Sequence, residues 1–321
     1  MKKLIFLMLA VAFALHAGTG TDALNFLKIK PSARGASLGE GFVAVANDAN
    51  AAFYNPAGLT QLSNIEFSLL HMIYMAETSY EYASFALPVG ENLRLGGYLV
   101  YLNYGSIGRT GETLAGDFAA GTGSYNPSSL AVALSGAMRL GELSLGVNIK
   151  YALESIDTLT ITGVLADAGI LTSIDGVKVG AFIYNIGMVS MDNAPMGARI
   201  GGSSRFTAFE EKDLLVAVGI NYVLASSKIS GSAGAELNLG NFIFLRGSYA
   251  LLSDSDSLNL GLGFRQDLGG FVGELAYNFS LLGDLGEAHR ISVGIKLGAD
   301  DAVSKGKSNK KPIVGKKEQS K

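Results

Sequence analysis

Leu143-Ser144-Leu145-Gly146-Val147-Asn148-Ile149-Lys150-Tyr151-Ala152-Leu153 sets a large apolar residue at every second position and a small, polar or charged one between. A period of two is the pleat of a β-strand, whose successive side chains point to opposite faces. The alternation returns in Val216, Val218, Ile220 and Tyr222, in Leu258, Leu260, Leu262 and Phe264, and in Ile291, Val293, Ile295 and Leu297. Phe271, Leu275, Tyr277 and Phe279 likewise face away from Glu274 and Asn278. One face of each segment is greasy and the other small or charged.

Carried along the chain, the pattern predicts fourteen strands at 64–73, 78–88, 93–104, 129–140, 142–154, 161–174, 176–187, 197–207, 213–223, 228–239, 241–252, 256–266, 270–280 and 288–298. Most are long enough to cross a bilayer at a tilt, which takes about 9–11 residues. Two depart from the pattern: 197–207 alternates poorly, and 93–104 is apolar on both faces at Tyr98–Leu102. Gly141-Glu142, Asp175-Gly176 and Leu239-Gly240-Asn241 join neighbours as tight hairpin turns do. The segment from Gly105 to Tyr125, rich in Gly, Thr and Ala, with Ile107, Leu114 and Phe118 as its large apolar residues, reads as a mobile loop. With both termini periplasmic, that loop faces outward.

The ends fit an exported protein. Met1-Lys2-Lys3, an apolar run from Leu4 to Leu15 and the small Ala17 read as a signal peptide over residues 1–17. No later run is long and apolar enough for a spanning helix. The chain holds 42 glycines, 48% hydrophobic and 17% charged residues and no cysteine, so disulfides, thiolate metal sites and an N-terminal lipid anchor are ruled out. Residues 299–321 carry Lys305, Lys307, Lys310, Lys311, Lys316, Lys317 and Lys321 against Asp300, Asp301 and Glu318, and read as a disordered basic periplasmic tail. The body left between leader and tail is acidic.

A soluble sandwich or solenoid would also alternate, but the export signal, the glycine on the polar face and the lack of a fixed-period repeat favour a barrel. The fold expected is an all-β, transmembrane antiparallel β-barrel over 63–298 with a small N-terminal plug over 18–62 inside the lumen. Arg139, Lys150, Lys178, Glu236, Arg246, Arg265, Glu274 and Lys296 then face the lumen and pair as a structural network. Arg246 shares its face with Phe242 and Phe244.

The plug segment is unlike the strands. Ala33, Gly35, Ala36, Ser37, Gly39 and Gly41 allow close backbone packing, Asn47-Asp48 suits a cap on a short helical turn, and Pro56 stops that turn. In Ser32-Ala33-Arg34-Gly35-Ala36-Ser37-Leu38-Gly39 and in Asn47-Asp48 through Tyr54-Asn55-Pro56-Ala57-Gly58-Leu59 the chain resembles the FadL-like superfamily of outer-membrane proteins, and within it the PorV/PorQ family. The resemblance covers residues 31–62. It implies that Asn55, Pro56, Ala57 and Gly58 belong to a hatch, with Phe53 and Tyr54 as ligand or plug contacts. It also implies two roles: assistance to type IX-like protein secretion through cargo or translocon subunits, and, as an alternative, uptake of a hydrophobic small molecule. A purely structural barrel is a third reading.

Catalytic parts are missing. His71 and His289 outlast leader cleavage, without Gly-x-Ser-x-Gly or His-Glu-x-x-His. They sit in the first and last strands, which adjoin on closure, so a base inside the barrel is the one enzymatic arrangement to weigh. Gly261-Leu262-Gly263 lacks the third glycine of a dinucleotide loop and reads as barrel lining, and Asp254-Ser255-Asp256 is half a calcium loop and reads as a turn. The expectation is a non-enzymatic chain without cofactor or metal, in contact with outer-membrane lipid and not with nucleic acid.

Overall fold

The computed structural model describes residues 22–298 apart from 116, 209–211, 225 and 252–257. The leader at 1–17, the tail at 299–321 and the Asp254-Ser255-Asp256 turn lie outside the described residues. The strands are β1 Ile65–Ile73, β2 Ser79–Val89, β3 Leu93–Asn103, β4 Ile107–Glu112, β5 Phe118–Tyr125, β6 Ser128–Leu140, β7 Leu143–Ile156, β8 Leu159–Ile174, β9 Val177–Val189, β10 Gly197–Thr207, β11 Asp213–Val223, β12 Lys228–Leu239, β13 Ile243–Leu251, β14 Leu258–Asp267, β15 Phe271–Leu281 and β16 Glu287–Leu297. All but β4 and β5 form one closed antiparallel barrel of fourteen strands in chain order. Its seam joins β1 to β16, with Ile65 opposite Leu297 and Ile73 opposite His289.

The alternation decides which way each strand faces. Along β7, Ser144, Gly146, Asn148, Lys150 and Ala152 are buried while Leu143, Leu145, Val147, Ile149 and Tyr151 are exposed. Ile149 and Leu134 leave 68% of their surface uncovered, an inversion of the soluble pattern that suits a wall facing hydrocarbon. The two irregular segments have physical causes. In β10, Gly202 and Ser204 hold outward positions beside Ile200 and Phe206, which blurs the period. In β3, Tyr98, Val100 and Leu102 point inward and are buried, because the lumen is apolar there.

Turns at 90–92, 141–142, 175–176, 240–242 and 268–270 mark one rim, called the turn end; segments 74–78, 104–127, 190–196 and 282–286 mark the opposite loop end. Asp175 (φ 49°) and Gly176 (φ 81°) both take the left-handed conformation that a type I′ hairpin turn requires. The mobile loop expected at 105–125 is instead a hairpin of β4 and β5, a two-stranded sheet separate from the barrel's, with a register shift between Gly108 and Thr110. Arg109 on it bonds Asp157 in the β7–β8 turn.

Residues 22–64 fill the lumen as a string of short turns: 3-10 turns at Asn25–Lys28, Gly39–Ala44 and Pro56–Gln61 and helices α1 Ala33–Leu38 and α2 Ala51–Tyr54. Ser32 caps α1 by accepting from the Gly35 amide at 3.1 Å. Asp48, and not Asn47, serves the start of α2: its Oδ1 accepts from the Asn50 amide at 3.0 Å. Pro56 ends α2 and also opens the next turn, where Asn55 Oδ1 accepts from Ala57 N at 3.2 Å.

So compact a piece buries itself only against the wall. Wall hydroxyls and amides take up its polar groups: Ser232 Oγ accepts from Glu40 N at 2.7 Å, Ser292 Oγ from Ala33 N at 3.1 Å, and Asn148 Nδ2 donates to Ala52 O at 2.8 Å. The inward glycines set how near the backbones come. A Cβ on Gly219 would stand 2.5 Å from the Glu40 carbonyl carbon, one on Gly234 2.7 Å from Leu38 O, and Gly146, Gly169, Gly180 and Gly261 are in equally close contact with Ala57, Asn55, Val43 and Ser37. Gly261 is thus lining, as its place on the polar face implied. A G219V substitution should lift residues 39–44 off β11 at a cost of about 1–3 kcal/mol while the barrel still closes. Limited proteolysis of the folded variant should release fragments from 22–64 faster than in the parent; equal protection would contradict this packing.

Candidate functional site

The luminal segment and the wall facing it form the candidate site. Arg34 on α1 is buried and joins both. Its Nε and Nη2 donate to Glu236 Oε2 at 2.7 Å and Oε1 at 3.0 Å, and its Nη1 donates to Asn47 Oδ1 at 2.7 Å and Asp48 Oδ2 at 3.0 Å. Burial works against the charge on Arg34, yet Glu236 and then Asp48 hold its proton more tightly than in free arginine. The pair extends as a chain of alternating sign across the wall: Glu236 to Arg246 at 2.7 Å, Arg246 to Glu274 at 3.0 Å, Glu274 to Arg265 at 2.9 Å. Arg246 and Arg265 also lie over the Phe244 ring, at 5.3 and 4.4 Å from its centroid. Phe244 is buried with Arg246, whereas Phe242 sits exposed in the turn before β13.

Two further clusters sit deeper. Lys150 and Asp167 pair at 2.7 Å with Asn148 and Asn185 completing the carboxylate's bonds, at the bulge between β8 and β9. Glu40 of the plug pairs with Lys30 at 3.2 Å and Arg199 at 3.0 Å. Lys296 pairs with Glu66 at 3.0 Å near the seam. The charges expected to line the lumen do so, and most are paired.

Asn55 is wholly buried. Its Nδ2 donates to Val43 O at 2.9 Å and to Ile170 O at 3.1 Å, so it stitches two plug turns to β8. Gly58 packs on the Ala46 carbonyl and Gly35 on the Tyr54 ring, so these two residues must stay small. Arg34, Asn47 and Asp48, which stand in both halves of the motif run, meet through one guanidinium.

Phe53 and Tyr54 are packed among rings. Phe42 and Tyr54 lie 4.8 Å apart edge-on, Phe53 and Tyr98 5.4 Å, and Tyr82 and Tyr98 6.0 Å. Met72, Tyr80, Val100 and Leu102 continue this apolar compartment toward the loop end, with Phe26 and Leu27 of the plug against it. The Tyr80 hydroxyl is buried without a hydrogen-bond partner among the described residues, an arrangement that costs about 1–3 kcal/mol. Burial pushes the Tyr54 phenol well above the usual range, so it stays a neutral donor. The space beside Phe53, Tyr98 and Lys150 is about 10 Å³, room for one water at most, so the compartment is closed.

The histidines stand elsewhere. β1 and β16 adjoin, but His71 and His289 point outward with Leu69 and Ile291, not into the lumen. His71 Nδ1 lies 2.7 Å from Glu81, and His289 bonds Tyr277 at 2.7 Å and Glu287 at 3.1 Å. An internal base is therefore excluded for both.

A family model described as an uncharacterised protein family, UPF0164, matches residues 14–161. No curated protein matches the chain in sequence. Among solved structures the fold is similar to the Pseudomonas putida toluene transporter TodX, with a TM-score of 0.52 and 12% identity over 77% of this chain and 92% of that one. It is similar too to the Ralstonia pickettii toluene transporter TbuX, with a TM-score of 0.50 and 13% identity over 77% and 92%. A Pseudomonas aeruginosa FadL homologue aligns over 78% and 94% at 10% identity with a TM-score of 0.46. The likeness to the two toluene transporters is one of fold.

Removing the Arg34 guanidinium would strand Glu236 beside Arg246 alone. R34A should destabilise the seated plug by about 3–5 kcal/mol, and R34K should recover little of it, since an ammonium cannot make the paired contact. Denaturant titration of the plug's protection against protease measures both; an R34A protein as protected as the parent would contradict the clamp.

Proposed function

We propose that this chain is an outer-membrane barrel through which hydrophobic small molecules pass when the plug, residues 18–62, shifts from its seat. The observation that carries this is the closed compartment of Phe53, Tyr80, Tyr82, Tyr98, Val100 and Leu102 between plug and loop end. A water-filled porin keeps its lumen polar, whereas these walls would solvate an apolar molecule, and the partnerless Tyr80 hydroxyl offers it a donor. The fold shared with the two toluene transporters supports the same reading. Asn55, Pro56, Ala57 and Gly58 act in it as the hinge-side strap of the hatch, and Phe53 and Tyr54 as the first side chains a ligand would displace.

The escort of secreted cargo, implied by the PorV/PorQ-like Ser32–Gly39, has one structural feature in its favour: the β4–β5 hairpin at the loop end with Ile107 and Leu114 exposed. The rest of that hairpin is mainly Gly, Thr, Ala and Ser, a small apolar area for a protein partner. Passage is therefore preferred.

Thr60 Oγ1 donates to Ser144 Oγ at 2.7 Å, so T60C with S144C places two sulfurs within reach in a chain that has no other cysteine. In cells stripped of their own hydrophobic-compound channels, the parent should restore uptake of labelled toluene or a long-chain fatty acid. The oxidised double variant should lose that uptake, and a reductant should return it. Absent uptake by the parent, or uptake indifferent to the cross-link, would overturn the proposal.

A further inference from the structure

Cations within the lumen are paired with carboxylates at Arg34, Lys30, Lys150, Arg199, Arg246, Arg265 and Lys296. At the turn end the rule breaks. Arg94 donates only to carbonyls, those of Leu62 at 2.6 Å and of Gly90, Glu91 and Leu93. Arg139 donates to Thr60 O at 3.1 Å, and Lys178 to Gln61 Oε1. Among the described residues no carboxylate bonds any of these three, and none bonds the Arg205 side chain.

Lys178 and Arg205 share a cavity of about 120 Å³ whose floor is Val45 and Asn47 of the plug. Lys178 stands opposite Ser203, and Arg205 is two residues further along the same face of β10, so like charges sit as diagonal cross-strand neighbours. Such neighbours repel, and Asp213, at the same diagonal spacing from Arg205 across the β10–β11 ladder, makes no ion pair with it. Asn47 has given its Oδ1 to Arg34, which leaves its amide hydrogens for the cavity. Among the described residues no carboxylate lines the space; Asp175, in the adjoining turn, is exposed and pairs with neither cation.

We propose that the cavity between Lys178, Arg205 and Asn47 is a binding site for an oxyanion, a carboxylate or phosphate group presented at the turn end of the lumen. Bound there, the anion would bridge β9 and β10 to the plug at residues 45–47 and fasten it. The site stands independently of what passes through the barrel.

Calorimetric titration of the full chain in neutral detergent micelles tests it, with inorganic phosphate and succinate as probes against chloride at equal ionic strength. One saturable site per chain is expected for at least one probe. R205Q alters one exposed side chain and should weaken binding about tenfold, or about 1.4 kcal/mol. The K178Q/R205Q variant, its sheet content checked by circular dichroism, should abolish it. A tetraglutamate peptide that binds tenfold tighter than succinate would assign the anion to a polymer, and equal affinities would assign it to a free anion. No saturable heat from either probe, or parental affinity in the double variant, would overturn the proposal.

Discussion

A buried guanidinium shared between the luminal segment and the wall ties the two together. Arg34 meets both oxygens of Glu236 and, through its remaining nitrogen, Asn47 and Asp48. A lone charge could not stay in this interior, so each group depends on the others being in place. The chain of alternating charge through Arg246, Glu274 and Arg265 spreads that dependence over four strands. The plug is thereby fixed in register, in addition to the apolar cluster it shares with the wall.

The wall is shaped to receive it. Inward glycines on β7, β8, β9, β11, β12 and β14 let plug backbone lie against strand backbone, and inward serines and asparagines satisfy the amides and carbonyls that no regular helix or sheet takes up. Toward the loop end the lining changes from small and polar to aromatic. The plug therefore has two surroundings: a polar seat that grips its turns, and an apolar compartment that Phe53, Phe26 and Leu27 occupy. A polar seat rewards closure, while an apolar space filled by side chains of the plug is one that another apolar body could enter.

Much of this was legible in the sequence because a membrane wall has only two faces. The period of two located all fourteen barrel strands, and the same parity puts His71 with Leu69 and His289 with Ile291 on the outside. The β4–β5 hairpin was not legible: Gly, Thr and Ala on both of its faces carry no contrast in hydropathy, and a loop was the natural reading. Tyr98–Leu102 carried a signal, apolar on both faces, that marked the lumen as apolar there; finding Tyr80 and Tyr82 beside it required the β2–β3 register. Arg34 stood in plain view within the motif, but its partner Glu236 lies 202 residues away. No local pattern connects them.

Passage requires a plug that is a separable body within a fixed barrel, and native-state hydrogen exchange in micelles reads this directly. Amides of Ala36, Asn55 and Gly58, each bonded within the plug, should exchange together through one opening event, at a lower free energy than amides of β7, β8 and β11. Plug amides that exchange only with those of the strands, at a single shared free energy, would show plug and barrel to be one cooperative unit and would contradict the account.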